Sequence, residues 1–372
     1  MSKKLIKSIL GLLGTLVILI VVFISFAPQF GSNPDKIQKE KFSLLSNYVN
    51  GEFVNLEETE MMTGDMPMSE FFKRDSLRAP SFELNTQRID LNSFKSKSEE
   101  PISKISWLGH SAFIMNLDGK IILLDPMLGE YAAPFPVPSL RRYSEKIAFN
   151  IDDLGFIDAV LISHDHYDHL DYSTIKNIKN NVGMFYVPLG IGNHLKKWGV
   201  LNEKITEMNW DESTLLKDIE LICLPARHFS GRGPLNRNST LWCSWSIKSN
   251  SSKIYFSGDS GFGFHLYEIG KKYGPFDLAL IDCGQYNNAW KFSHMFPEQG
   301  VEAARVLNSK YLMPIHWGAF TLATHPWNEP VERAILESIK KKQKIITPQI
   351  GQVIHLNNLD LKYENWWNYK YL

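Results

Sequence analysis

The sequence predicts an α/β (α+β) chain folded as a four-layer αββα sandwich behind an apolar N-terminal helix. Three observations point there: an apolar stretch at the start, strand-like runs beginning sharply near residue 101, and helical stretches interposed among those runs. Strands grouped in this way suit two sheets packed face to face and covered outside by helices.

At 372 residues the chain can form one large domain or two modest ones. Apolar content of 44% and charged content of 22% are ordinary for a protein with a sizeable core. Lys plus Arg and Asp plus Glu are both 40, so no net field argues for nucleic acid or a polyanionic partner. Cys223, Cys243 and Cys283 are scattered and form no CxxC pair, so neither a disulfide framework nor a thiolate zinc knuckle is suggested. Cys223 and Cys283 sit in apolar runs and read as buried, inert thiols.

Lys3, Lys4 and Lys7 precede an uncharged stretch that is almost wholly apolar over residues 9–27. That is close to the ~20 residues a helix needs to cross a bilayer. A cleaved signal would have a shorter apolar region and a small-x-small site, whereas Phe26, Pro28 and Phe30 end this one with bulky residues. Residues 1–30 are therefore expected to be an uncleaved single-pass anchor. The basic flank places the N-terminus in the cytoplasm and residues 30–372 outside it, although Lys36, Lys39 and Lys41 act against that orientation.

Residues 31–100 show little periodicity and are expected to be irregular chain that links the anchor to a domain over 101–372 and wraps it. Alternation over 102–107, then apolar runs over 112–117 and 120–124 around Asp118-Gly119, predict a strand and a hairpin. Pro134, Pro136 and Pro138 exclude helix or central strand, so this stretch is a loop. Strands over 157–162 and 183–187 are each followed by a helix, over 172–178 and 192–198. Runs at 219–224, 241–247 and 253–256 suit antiparallel sheet, and strand 278–282, helix 297–307 and strand 311–315 follow.

Directly after the strand at 157–162 comes His164-Asp165-His166-Tyr167-Asp168-His169, three imidazoles and two carboxylates in six positions. Imidazole and carboxylate together suit zinc and similar divalent ions. One loop of this kind can feed two adjacent metals, and further ligands should end other strands. His228, Asp259 and His316 each cap an apolar run and complete the candidate set. Arg141, Arg142, Arg227 and Arg232 are candidate phosphate contacts, with Arg227 best placed beside His228.

The order HxHxDH, then His, then Gly-Asp, then His resembles the ligand order of the metallo-β-lactamase superfamily. Within it the chain is similar to the N-acyl-phosphatidylethanolamine-hydrolysing phospholipase D family. The matches include Trp107-Leu108-Gly109-His110-Ser111, Leu124-Asp125-Pro126, the stretch from Ile157 to Tyr172, and Gly270 to Ala279. His294 with Pro297-Glu298, and Ile315-His316-Trp317-Gly318, extend the similarity over residues 101–325.

The resemblance implies a binuclear hydrolase with two zinc ions. His164, His166 and His228 would hold one ion, Asp168, His169 and His316 the other, and Asp259 would bridge them. A hydroxide shared by ions roughly 3.5–4 Å apart would attack phosphorus, making Asp168 and His294 catalytic. Tyr172, His294 and Arg227 would contact substrate, and Asp125 would orient the metal loop. The implied reaction cleaves an N-acylated phosphatidylethanolamine to an N-acylethanolamine and phosphatidic acid. Membrane phospholipid and the bilayer are the expected partners, nucleic acid is not, and a homodimer is left open. The proline-rich insert and the anchor depart from the family's pattern and leave acyl-chain preference open. Hydrolysis of a lactone, a β-lactam or another phosphodiester on the same fold, or a catalytically silent metal-stabilised membrane protein, are the alternatives. The aromatic tail over 363–372 is expected to serve either as core or at the membrane interface.

Overall fold

A computed structural model describes residues 2–67, 69–70, 75–96 and 103–368. The expected strand start at Ile102 and the end of the tail, residues 369–372, lie outside the described residues. A small hairpin, β1 (Tyr48–Val49) and β2 (Glu52–Phe53), precedes two seven-stranded sheets. The first contains β3 (Lys104–Trp107), β4 (Phe113–Leu117), β5 (Lys120–Leu124), β6 (Ile157–Leu161), β7 (Val182–Pro188) and β8 (Ile205–Met208). The second contains β9 (Ser213–Leu216), β10 (Ile219–Leu224), β11 (Ser244–Lys248), β12 (Lys253–Phe256), β13 (Phe276–Asp282), β14 (Ser309–Ile315) and β15 (Lys344–Ile345). Strand β16 (Val353–His355) returns to the edge of the first sheet beside β3.

Each sheet is antiparallel in one half and parallel in the other, the change falling at β5 in the first and β12 in the second. Parallel neighbours need crossovers. In the first sheet the chain over 125–156 joins β5 to β6, and helices α4 (Tyr172–Ile178) and α5 (Gly192–Lys197) supply the next two crossovers. In the second they are α6 (Phe264–Tyr273), α7 (Pro297–Val306) and α8 (Glu329–Lys341). Earlier in the chain, the described residues include α1 (Lys3–Phe26), α2 (Lys36–Phe42) and α3 (Leu91–Lys95).

Alternation along single strands explains the layers. In β5, Ile122 and Leu124 enter the core between the sheets, whereas Ile121 and Leu123 face the outer helices. In β13, Leu278 and Leu280 point between the sheets, and Ala279 and Ile281 point outward under α6 and α7. Strands buried on both faces read as continuous apolar runs, as these do in the sequence.

The described residues of 31–100 include two short helices and a hairpin. Asp35 and Gln38 form a capping box that starts α2, and Phe42, Tyr48 and Phe53 pack on one another inside the central core. Trp366 and Trp367 of the tail are buried against Trp317 and extend the same core. Helix α1 is long and apolar enough to cross a membrane, and its described side chains are almost all exposed.

Candidate metal centre

Polar residues that end apolar strands converge at one edge of the sandwich. His110 follows β3, Asp125 follows β5, the loop from His164 to His169 follows β6, and His228 follows β10. Asp259 follows β12, Asp282 ends β13, and His316 follows β14. Parallel strands characteristically gather ligand-binding groups at their carboxyl ends. His110, Asp125 and His316 have φ values of 55°, 36° and 68°, a region non-glycine residues seldom adopt. Such strain costs about 1–3 kcal/mol per residue and clusters at functional sites. Gly258 holds φ 55° where its chain crosses the metal loop, and a Cβ there would lie 2.6 Å from the Ser163 Cβ.

The seven expected ligands come together in two groups around Asp259. His164 Nε2 lies 2.9 Å from His166 Nδ1, and His228 Nε2 lies 3.2 Å from the same atom. Asp259 Oδ2 is 3.6 Å from His164 Nε2 and 3.7 Å from His228 Nε2. Its Oδ1 is 3.0 Å from His169 Nε2 and 3.1 Å from His316 Nδ1. Asp168 Oδ2 lies 3.4 Å from His169 Nε2. One carboxylate therefore presents an oxygen to each group.

Surrounding groups fix the orientation of these rings. Asp125 accepts from Ser163 N–H at 2.7 Å and pairs with His169 Nδ1 at 2.6 Å. His228 Nδ1 donates to the Ser293 carbonyl at 2.9 Å, which leaves its Nε2 lone pair facing the centre. Burial, reinforced by neighbouring imidazoles, pushes His164, His228 and His316 well below the usual imidazole range. Burial also lowers His166 to about 4 and raises Asp259 to about 7.

This arrangement fits divalent ions. Three imidazole nitrogens converge on one point, His164 Nε2 and His228 Nε2 lying 2.9 and 3.2 Å from His166 Nδ1. His169 Nε2 and Asp259 Oδ1 are buried without a hydrogen bond of acceptable direction, a deficit that native interiors rarely tolerate. Neutral imidazoles and carboxylates are the donor set zinc and similar metals take. Two sets of four residues could hold an ion: His164, His166, His228 and Asp259, and His110, Asp168, His169 and His316.

Three contributors escaped the sequence reading. His110 Nε2 lies 2.7 Å from Asp168 Oδ2 and is fully buried. Asp282 pairs with His294 Nδ1 at 2.9 Å and accepts from Ser260 N–H at 3.2 Å. It carries the same signature, a carboxylate ending an apolar strand, that marked Asp259. Arg237 lines the cavity over the centre.

That cavity, about 310 Å³, has His166, Asp168, Asp259, His294 and His316 on its floor. Its walls are largely apolar, with Met61, Met62, Phe229, Trp290 and Leu322 beside Arg237, Gln285 and Ser293. His294 stacks on His316 at 4.9 Å. Burial draws the His294 imidazole down, but Asp282, with Asp259 and Asp168 behind it, together hold the ring above its usual value.

Two expected substrate contacts, Tyr172 and Arg227, lie outside the lining of this cavity. Tyr172 packs its ring on Trp198 at 5.4 Å and does not line the cavity. Arg227 is committed elsewhere: Nε donates to Thr59 Oγ1, Nη1 to the Phe262 carbonyl and Nη2 to the Glu58 carbonyl. It pins residues 57–59 beside the cavity. Arg141, Arg142 and Arg232 are likewise engaged, by Glu130 or by backbone carbonyls.

A buried His/Asp cluster at the strand ends of an αββα sandwich, open to a cavity, defines a metal-dependent hydrolase. A family model described as a β-lactamase superfamily domain matches residues 120–317. The chain belongs to the metallo-β-lactamase superfamily. An uncharacterized protein of Mycobacterium tuberculosis is 37% identical over 333 residues, covering 86% of this chain and 87% of that one. The N-acyl-phosphatidylethanolamine-hydrolyzing phospholipase D 1 of Caenorhabditis elegans is 35% identical over 231 residues, 59% of this chain and 65% of that one. Among solved structures, the isothiocyanate hydrolase from Delia radicum gut bacteria shares the fold. Its TM-score is 0.54 at 19% identity, covering 68% of this chain and 98% of that one.

Proposed function

We propose that this protein is a membrane-anchored phosphodiesterase of phospholipase D type, loaded with two zinc ions, that cleaves N-acylated phosphatidylethanolamine. The observation that carries the reading is the cavity, where largely apolar walls lead to a His/Asp floor. An amphiphile with a phosphate at its polar end suits both surfaces. The similarity to the nematode phospholipase D supports the choice of lipid, and α1 as an uncleaved anchor would hold the site near that lipid.

His164, His166 and His228 would hold one ion and Asp168, His169 and His316 the other, with Asp259 between them. Such a pair supplies Lewis acidity and a nucleophile at neutral pH when bound. The chain's own groups do the rest. Asp125 and the Ser293 carbonyl hold the ligand rings in register. Asp282 accepts the His294 Nδ1 proton, so His294 Nε2 can carry a second proton and donate it to the departing alcohol oxygen. Phe229 and Met62 exclude water around the reacting phosphate.

The test is product analysis by mass spectrometry after incubating the full-length protein with N-acylphosphatidylethanolamine. Release of N-acylethanolamine, abolished by chelator and restored by zinc, is expected. Intact lipid alongside rapid turnover of a lactone or aryl phosphodiester would leave a hydrolase and remove the phospholipase assignment. A C-terminal reporter active only in the cytoplasm would overturn an extracytoplasmic domain.

A further inference from the structure

Arg237 is the sole lysine or arginine among the described residues that line the cavity. Its guanidinium carbon lies 4.7 Å from the centre of the Phe229 ring. Phe229 in turn packs against His166 at 4.6 Å and His228 at 4.7 Å. One aromatic ring therefore separates the cation from the metal-binding floor. Every other arginine singled out near the site is consumed: Arg227 by the 57–59 segment, Arg232 by the metal loop, and Arg142 by the Gly129 and Leu108 carbonyls. Arg237 makes no hydrogen bond or ion pair with any described residue, and it is exposed to the cavity mouth.

We infer that Arg237 selects an anionic substrate, pairing its guanidinium with a charged phosphate oxygen of a diester whose reacting face lies toward the floor. The inference rests on the reading of the site as one for a phosphate diester. A planar guanidinium stacked on an aromatic face keeps its N–H edge free and pre-oriented, so it loses little freedom on gripping two oxygens. A neutral triester offers the same shape without the charge and has nothing for Arg237 to neutralise. Arg237 is thus a specificity residue, and the metal groups can be complete without it.

The experiment uses the full-length, zinc-loaded protein in neutral-detergent micelles, with ligand-observed NMR titrations of diethyl phosphate and triethyl phosphate. Arg237→Gln is expected to weaken diethyl phosphate about tenfold or more while leaving triethyl phosphate within about twofold. Arg237→Lys should recover part of the loss, and zinc content and melting temperature should be unchanged in both variants. The inference is overturned if Arg237→Gln binds diethyl phosphate within about twofold of the parent, or weakens both esters alike. Loss of zinc in the variant, or failure of the parent to bind diethyl phosphate, overturns it equally. Failure to cleave N-acylated lipid with the diester contrast intact would remove the lipid assignment and leave Arg237's role standing.

Discussion

Arg232 joins Gln29, just beyond the apolar helix, to the metal loop. Its Nε and Nη2 donate to the Gln29 carbonyl at 3.0 and 2.8 Å, and its Nη1 donates to the Asp165 and Leu170 carbonyls at 2.6 and 2.7 Å. The side chain is 2% exposed and stacks on Tyr167 and Trp198. Beside it, His194 accepts from Ser32 N–H at 2.9 Å and reaches Asp165 Oδ2 at 3.2 Å. The strap leaving α1 is therefore tied to the backbone that carries His164 and His166.

Arg232→Met should leave the buried Asp165 and Leu170 carbonyls and the half-buried Gln29 carbonyl without their charged donor. Each such bond contributes about 1.5–3 kcal/mol, so a loss of at least about 3 kcal/mol is expected. Chemical denaturation would measure it, and zinc retention on dialysis should fall in parallel. Unchanged stability would mean that the strap does not brace the loop.

His265 sits behind Ser260, with its Nε2 3.2 Å from the Ser260 hydroxyl oxygen. Burial, aided by Arg227, lowers it to about 3 from the ordinary 6.5. The unfolded chain takes up this proton first, so the stability is present above pH 6.5 and drains away as pH falls toward 3. One such imidazole should cost about 2 kcal/mol between pH 7 and pH 5. Unfolding curves of the parent and His265→Gln at the two pH values check this. The variant should lose less stability on acidification than the parent, by about that amount.

Trp366 stacks on Trp317 at 5.3 Å and donates its indole N–H to the Pro348 carbonyl at 3.1 Å. Trp317 follows the candidate ligand His316 and lies 5.3 Å from Trp107. Trp366→Ala should therefore cost about 3–5 kcal/mol by emptying this cluster. A melting temperature equal to the parent's would instead place the tail outside the core.

The legible parts of this molecule are those where local sequence and tertiary role coincide. The six-residue loop after β6 is contiguous, so its density of imidazoles shows in one line. His228, Asp259 and His316 were visible because a polar residue ending an apolar run needs an explanation. His110 appeared only within a matched motif and was given no role, because its place depends on a left-handed turn and on backbone pairing with Trp317. The arginines were beyond reach for a related reason. Arg227, Arg232 and Arg237 look alike in a polar loop, and only the folded segments at 29 and 57–59 decide which two are occupied. Helix α2 had its signal in Asp35 and Gln38, but seven residues carry too little periodicity to stand out.

The most direct measurement is elemental analysis of full-length protein purified without chelator, beside Asp259→Asn. Asp259 offers one oxygen to each group of ligands, so its amide should weaken both positions together. Two equivalents of divalent metal per chain in the parent, zinc foremost, and a loss of at least one equivalent in the variant are expected. A parent that carries no metal and takes up none on addition of zinc would contradict a binuclear hydrolase.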